Sequence, residues 1–157
     1  MTPEAPKVAL CAGTSWYLWN FRRNVIGYFS ERGWQVCLIA PEDSWTERLA
    51  SLPGVRYVPW PVSLFGAAPL EEIPSLRRLH GILRREKPVF AFNHGIKANI
   101  YGGLACRVQS VPYANVVSGL GMRMSRSGIF AATLARLYTC ACSGGAAVIV
   151  QNRSDLE

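Results

Sequence analysis

The feature that most constrains the fold is a regular alternation of short apolar runs with longer helical patterns. The apolar runs have the length of strands, and they are Val8–Ala12, Val36–Ala40, Val55–Val58, Val89–Asn93, Tyr113–Val117 and Ala146–Val150. Helical patterns lie between them, at Phe21–Arg32, Ser44–Leu52, Glu71–Glu86, Asn99–Val108 and Ile129–Cys142. Because the runs are almost continuously apolar, both faces of the sheet must be covered. The sequence therefore predicts an α/β fold: a Rossmann-like, doubly wound, mainly parallel sheet of about six strands with helices on both faces.

Composition and charge limit the number of domains and the classes of partner. The 157 residues fit one domain, and a hydrophobic fraction of 50% is ample for a core. A net charge of +7 favours anionic partners such as phosphates, acidic lipids or nucleic acid. There is no run of like charges and no basic strand face with interleaved aromatic residues, so we expect no nucleic acid partner.

Cysteine content and hydropathy indicate the compartment. The five cysteines are odd in number and lie in apolar segments, which suits a reducing cytosol. With two histidines and no C-x-x-C pair, we expect no zinc site, and no metal or other cofactor. No apolar stretch is long enough to span a bilayer or to serve as a secretory signal. The expected location is cytoplasmic, with peripheral contact at the inner face of the plasma membrane.

Ligands of open parallel sheets bind beyond the carboxyl ends of the strands, so the loops there are the candidate site. In the first loop, Gly13 permits close backbone approach, Thr14 and Ser15 supply donors, and the next helix presents its positive end to a phosphate. Neither G-x-G-x-x-G nor G-x-x-x-x-G-K-[ST] occurs, which counts against dinucleotide and P-loop binding. The alternative for this loop is an ordinary turn between strand and helix.

The same segment is unusually aromatic. Trp16, Tyr17, Trp19 and Phe21 follow almost in succession, and they could stack on a sugar ring or an isoprenoid. The alternative is that two of them wedge between helix and sheet. We assign Trp16, Tyr17 and Trp19, together with Arg22, to acceptor or membrane contact.

Two further loops complete the candidate site. His94 follows an apolar strand beside Gly95, and Lys97 could hold a phosphate or a carboxylate in the same place, so both are predicted catalytic residues. In the third loop, the backbone at Gly119 and Gly121 is predicted to contact the donor. The residues that follow mix apolar and cationic side chains, which suits a membrane surface that bears phosphate-linked lipids; they are Met122, Arg123 and Arg126.

These loops resemble those of the N-terminal domains of retaining, family-4-type glycosyltransferases of the GT-B architecture, which assemble bacterial surface polysaccharides such as lipopolysaccharide. Residues 93–105, N-H-G-I-K-A-N-I-Y-G-G-L-A, look like the family's T-H-T-I-K-P-N-I-Y-G-G-L-A. Residues 15–17 and 20–22 are similar to its D-W-F and S-H-R, residues 118–121 to its T-G-L-G, and residues 150–152 to its closing V-Q-N. The departures are Gly95 for Thr, Ala98 for Pro, and Asn20-Phe21 for Ser-His.

The resemblance implies a function for the whole chain. Residues 1–157 would be the acceptor-side domain, with the C-terminal domain that binds the nucleotide sugar absent from this chain. The full-length enzyme would be a hexosyltransferase that moves a sugar from a nucleotide-sugar donor to a lipid-linked or polysaccharide acceptor, and this domain alone would be inactive. By resemblance, Gly13 and Thr14 approach the donor diphosphate, His94 contacts the donor sugar, and Lys97 lies in the cleft.

Two other classes of function stay open at this stage. One is a non-catalytic module that binds glycan or lipid phosphate. The other is a nucleotide-sugar-modifying Rossmann enzyme, such as an epimerase or a dehydrogenase, against which the missing glycine fingerprint weighs.

Overall fold

The computed structural model describes residues 5–63, 69–118 and 129–151. Within these ranges the chain forms six strands and five helices in strict alternation. The strands are β1 Lys7–Ala12, β2 Gln35–Ala40, β3 Val55–Pro59, β4 Phe90–His94, β5 Tyr113–Val117 and β6 Ala147–Val150. The helices are α1 Ser15–Ser30, α2 Thr46–Ala50, α3 Pro69–Glu86, α4 Ile96–Val108 and α5 Ile129–Ser143. All six predicted strands are confirmed.

The sheet has a switch point at its centre. The strand order is β3-β2-β1-β4-β5-β6, and each neighbouring pair is parallel. The chain therefore runs outward from β1 to one edge and then returns to place β4 against the other side of β1. In the register of this central pair, Ala12 lies opposite His94. The ends of β1 and β4 thus define the place where a doubly wound sheet opens a crevice for a ligand.

Two apolar layers cover the two faces of the sheet. In β1, Val8 and Leu10 point into a core closed by Leu18 of α1 and Leu49 of α2. The alternate residues of the same strand pack on the opposite side, against α3 and α4, in a core that includes Cys11, Ile39, Leu79, Leu83 and Cys106. Burial on both faces explains why these strands read as continuous apolar runs, and it confirms the predicted doubly wound class.

The helices on either side of the switch point begin earlier than predicted. Helix α1 begins at Ser15, six residues before the predicted Phe21, because Thr14 adopts an extended N-cap conformation and its hydroxyl accepts from the Tyr17 amide at 3.1 Å. Helix α4 begins at Ile96 and not at Asn99, because Gly95, at φ 87°, turns the chain directly out of β4. As a result, the aromatic segment and Lys97 lie in helices and not in loops.

Much of the 93–105 motif serves packing. Gly102 of α4 lies so close to the side chain of Asn93 that a Cβ atom there would be 2.1 Å from Oδ1. Asn93 donates to Asn115 at 2.9 Å, and Asn115 donates to the carbonyl oxygen of Ala141 at 3.2 Å. This buried amide chain ties β4 and β5 to α5. Gly103 allows the same close approach, with Ala141 as its neighbour.

A buried carboxylate stabilises the opposite, amino-terminal edge of the sheet. Glu86, 4% exposed, accepts from Lys7 at 3.1 Å and from Arg56 at 3.1 Å. Burial alone would raise the pKa of Glu86, but the hydrogen bonds and charges of Lys7 and then Arg56 outweigh it and lower the pKa below its usual value.

No helix in the described part of the chain combines the length and the apolar character needed to cross a bilayer.

Candidate functional site at the β1/β4 switch point

The candidate site is built where β1 and β4 end side by side. Gly13 follows β1 directly, His94 is the last residue of β4, and the residue before Gly13 pairs with His94. The third predicted loop follows β5, which lies next to β4, so it leaves the same edge of the sheet. Its five predicted site residues, Gly119, Gly121, Met122, Arg123 and Arg126, lie outside the described residues.

His94 is buried in a polar setting. The residue is only 5% exposed. Its Nδ1 atom accepts a hydrogen bond from Nε of Arg22 at 3.2 Å. The ring of Tyr17 lies 5.6 Å from the imidazole, measured between ring centroids. Burial, and then the charge of Arg22, lower the pKa of His94 to about 3. The Nε2 atom is buried and has no hydrogen-bond partner among the described residues.

Arg22 is the centre of the polar cluster around His94. Besides the imidazole, its guanidinium donates to the hydroxyl of Tyr17 and to the carbonyl of Phe21, the latter at 3.2 Å. When the Gln151 amide is oriented so that its hydrogen bonds are satisfied, its side-chain oxygen also accepts a hydrogen bond from Arg22. No carboxylate lies within 4 Å of Arg22 in the described ranges. The cluster therefore presents a positive charge without a counter-charge of its own.

Two residues that we predicted to contact the acceptor or the membrane lie beside His94 in the structure. Arg22 and Tyr17 were assigned to acceptor or membrane contact, yet the structure brings both against His94. Gln151 was noted as part of a motif and given no role. The sequence signal for the cluster was present in the motifs at residues 15–22 and 150–152, but no spacing rule links them across the chain.

Lys97, predicted to be catalytic, has a carboxylate partner within the fold. It lies in the first turn of α4, and its ammonium group forms an ion pair with Glu72 of α3. The same carboxylate accepts from the hydroxyl of Tyr101 at 2.7 Å. Burial, and then the bond to Glu72, raise the pKa of the Tyr101 phenol. The charge of Lys97 is therefore balanced within the fold and is not an isolated point charge for a ligand.

In the first loop, the backbone can face a ligand, whereas the Ser15 side chain forms hydrogen bonds within the fold. Ser15 is fully buried, and its hydroxyl donates to the carbonyl of Pro41 at 2.9 Å and contacts the hydroxyl of Tyr57 at 2.6 Å. The Ser15 hydroxyl is therefore engaged within the fold, and its predicted contact with the sugar donor stays a prediction. The Trp16 amide donates to Asp43 at 3.0 Å, so a carboxylate already occupies part of the helix N-terminus. The backbone at Gly13 and Thr14 is what this loop can offer a ligand.

The aromatic segment is divided between the surface and the core, and its predicted contact with a sugar ring or an isoprenoid stays a prediction. Trp16 and Phe21 are 47% and 55% exposed, and their rings meet edge to face at 5.5 Å. Tyr17 and Trp19 instead pack against the core. Trp19 also lies beneath Arg23, whose guanidinium carbon is 5.1 Å from the ring centroid.

Other candidate sites are weaker. Among the residues described, no group of three His, Cys, Asp or Glu side chains is placed to hold a metal ion, and the expectation that none is needed stays a prediction. A cavity of about 500 Å³ lies at the ends of β2 and β3, and its lining residues are Pro41, Glu42, Pro59, Pro61, Val62, Ser63 and Arg78. Gly13 and His94 are not part of its lining, and we place the candidate site at the switch point, where those two residues lie.

Comparisons with known proteins identify the family and the fold. A family model described as glycosyl transferase 4-like matches residues 7–152, whereas no curated protein matches the sequence. MurG of Acinetobacter baumannii superposes with a TM-score of 0.61 at 17% identity, over 95% of this chain and 41% of that one. The UDP-GlcNAc 2-epimerase of Neisseria meningitidis, bound to UDP-GlcNAc, gives 0.59 at 19%, over 87% and 39%. UGT73P12 of Glycyrrhiza uralensis gives 0.55 at 12%, over 98% and 45%.

These structural matches show a shared fold. The chain spans less than half of the length of each of the three proteins. Together with the family match, they confirm the resemblance to the N-terminal domain of a GT-B glycosyltransferase.

Proposed function

The chain belongs to the glycosyl transferase 4-like family, and we propose that it forms the acceptor-side wall of a cleft in which a sugar passes from a nucleotide-sugar donor to an acceptor. The acceptor would be lipid-linked or a polysaccharide, in the synthesis of a cell-surface glycan. One observation carries the proposal: Gly13 and His94 lie at the ends of adjacent strands at the switch point, beside Arg22, which has no carboxylate partner among the described residues.

The donor would be bound partly by backbone and partly by the polar cluster. In a retaining transfer, negative charge develops on the leaving diphosphate, and fixed donors and positive charge stabilise it. The backbone at Gly13 and Thr14 would approach the diphosphate, and Arg22 would supply positive charge, since Lys97 is paired with Glu72. His94, neutral near pH 7 because its pKa is about 3, would donate a hydrogen bond to the sugar. A second Rossmann-like domain would hold the nucleotide, so this domain alone would be inactive.

The acceptor would reach the cleft from the exposed side of α1. Trp16 and Phe21 offer apolar rings to an isoprenoid chain or to the interface of a bilayer, and Arg23 lies on the exposed side of the same helix. Met122, Arg123 and Arg126, predicted from the sequence to contact the membrane, would contribute apolar and cationic groups. The enzyme would then work at the inner face of the plasma membrane, held by anionic lipids.

The test uses the full-length protein and two histidine variants. His94→Ala should lower kcat/KM for transfer from the nucleotide sugar about tenfold or more, because one hydrogen bond at the reacting sugar is lost. His80→Ala is the matched control, since His80 lies on α3 and contacts Gln109 instead of the switch point. Equal activity of the two variants would contradict the site assignment.

A second candidate is a nucleotide-sugar 2-epimerase, which the structural likeness to such an enzyme favours. The two functions differ in their need for an acceptor. Incubation of the full-length protein with UDP-N-acetylglucosamine alone, followed by proton NMR, would reveal the epimer if this candidate is right. Product that forms only when an acceptor is added supports the transferase.

A further inference from the structure

We infer that Arg22 is a positioning residue that holds His94 as the neutral tautomer with its proton on Nε2, so that His94 acts on a ligand only as a hydrogen-bond donor. The inference deepens the proposed function and rests on it for the identity of the ligand. The recognised atom would be an oxygen with a lone pair, in a sugar hydroxyl or a phosphate group.

The hydrogen-bond donors and acceptors of Arg22 and His94 determine the tautomer. A guanidinium has five N–H donors and no acceptor, and it does not lose its proton in proteins. Arg22 Nε lies 3.2 Å from Nδ1 of His94, so Nδ1 must offer a lone pair. In a neutral imidazole the single proton then lies on Nε2.

The position of Nε2 is what points to a ligand. This atom is buried, on a residue 5% exposed, and finds no acceptor among the residues that the structure describes. A buried N–H group without an acceptor carries an uncompensated desolvation cost. That cost is recovered when an oxygen atom binds, at the strand end where Gly13 permits close approach.

Arg22 is held in place from several sides. The Tyr17 hydroxyl and the Phe21 carbonyl accept from it within α1, and the Gln151 side chain lies against it after β6. All of these acceptors are neutral, so nothing among them draws the guanidinium away from His94. Removal of Arg22 would therefore release Nδ1 and leave its partners in place.

No other titratable group competes for the imidazole in the described ranges. From α1, Arg22 and Tyr17 face it. The residues paired with His94 on the neighbouring strands β1 and β5 are the apolar Ala12 and Val116. Lys97, one turn into α4, is paired with Glu72. Burial and the charge of Arg22 lower the pKa of His94 to about 3, so the ring is neutral between about pH 5 and 8 and cannot serve as a base through Nδ1.

The first test is nitrogen NMR of the chain labelled with ¹⁵N-histidine, with His80→Gln used to assign the two rings. We expect the His94 ring to show a protonated Nε2 and a bare Nδ1, unchanged from pH 5 to 8. A protonated Nδ1, or an imidazolium in this range, would overturn the inference. Arg22→Met should produce a mixture of tautomers, and Arg22→Gln, which keeps a donor, should restore the single form. A single unchanged tautomer in Arg22→Met would show that Arg22 does not set it.

The second test separates the two ring positions in the full-length protein. In His94→Gln the amide nitrogen reaches the place of Nε2, whereas in His94→Asn it reaches only that of Nδ1. We expect the Kd for UDP-N-acetylglucosamine to change less than about threefold in the first and to rise about tenfold in the second. The reverse order would overturn the inference. If wild-type protein binds no nucleotide sugar while the NMR result holds, the proposed function fails but the pairing of Arg22 with His94 stands.

Discussion

Two glycine-to-alanine substitutions, both within helices, should have opposite effects on stability. Gly102→Ala would place a Cβ atom 2.1 Å from Oδ1 and 2.5 Å from Cγ of Asn93. Asn93 cannot move aside cheaply, since it is fully buried and its amide nitrogen is bonded to Asn115 at 2.9 Å. Overpacking costs about 1–3 kcal/mol, a broken buried amide bond about 1–3 kcal/mol more, and alanine returns about 1 kcal/mol of helix propensity. We expect Gly102→Ala to lower the free energy of unfolding by about 1–5 kcal/mol.

Gly81→Ala is the matched control. Gly81 is an exposed residue of α3, and a Cβ atom there would meet nothing within 4 Å. Helix propensity then acts alone, and stability should rise by about 0.5–1 kcal/mol. Urea denaturation of the two variants, followed by far-UV circular dichroism, gives both values. If Gly102→Ala is as stable as Gly81→Ala, the close contact between α4 and β4 is wrong.

Three further predictions concern charge and surface. Glu86→Gln should lower stability by about 1–3 kcal/mol at pH 7. Because folding lowers the pKa of Glu86, its contribution is complete above the unfolded pKa and is lost as pH falls through the folded pKa. The urea midpoints of wild type and variant should therefore converge once the pH is below the folded pKa. The double variant Glu72→Gln with Lys97→Met removes the ion pair as a unit, and calorimetry on the full-length protein should show a nucleotide-sugar Kd within about threefold of wild type. Trp16→Ala, at a residue 47% exposed, should weaken binding to vesicles containing anionic lipid while Tm stays within about 2 °C; unchanged vesicle binding would contradict the role proposed for α1.

The fold was predictable from sequence because its signal is local. Strands covered on both faces must be apolar at nearly every position, and β1 and β2 meet that requirement so plainly that their boundaries were predicted within one residue. The start of α1 was predicted six residues late because it depends on one cap, between Thr14 and the Tyr17 amide. The tryptophans and tyrosine of that first turn lack the helical period that sequence patterns rely on.

The candidate site was predictable only in part because its contacts are not local. The position of His94 followed from the rule that ligands bind beyond strand ends. Its partner Arg22 is 72 residues away in the chain, and Glu72, which neutralises Lys97, is 25 residues from that lysine. No periodicity encodes such pairs; they depend on which helix lies over which strand.

The central claim is that the ligand binds at the ends of β1 and β4. The most direct measurement is a crystal structure of the full-length enzyme with a nucleotide sugar. We predict a donor oxygen within hydrogen-bond distance of His94 Nε2, with the diphosphate against the backbone of Gly13. A donor seated instead in the cavity lined by Pro41 and Pro59, with His94 untouched, would contradict the account.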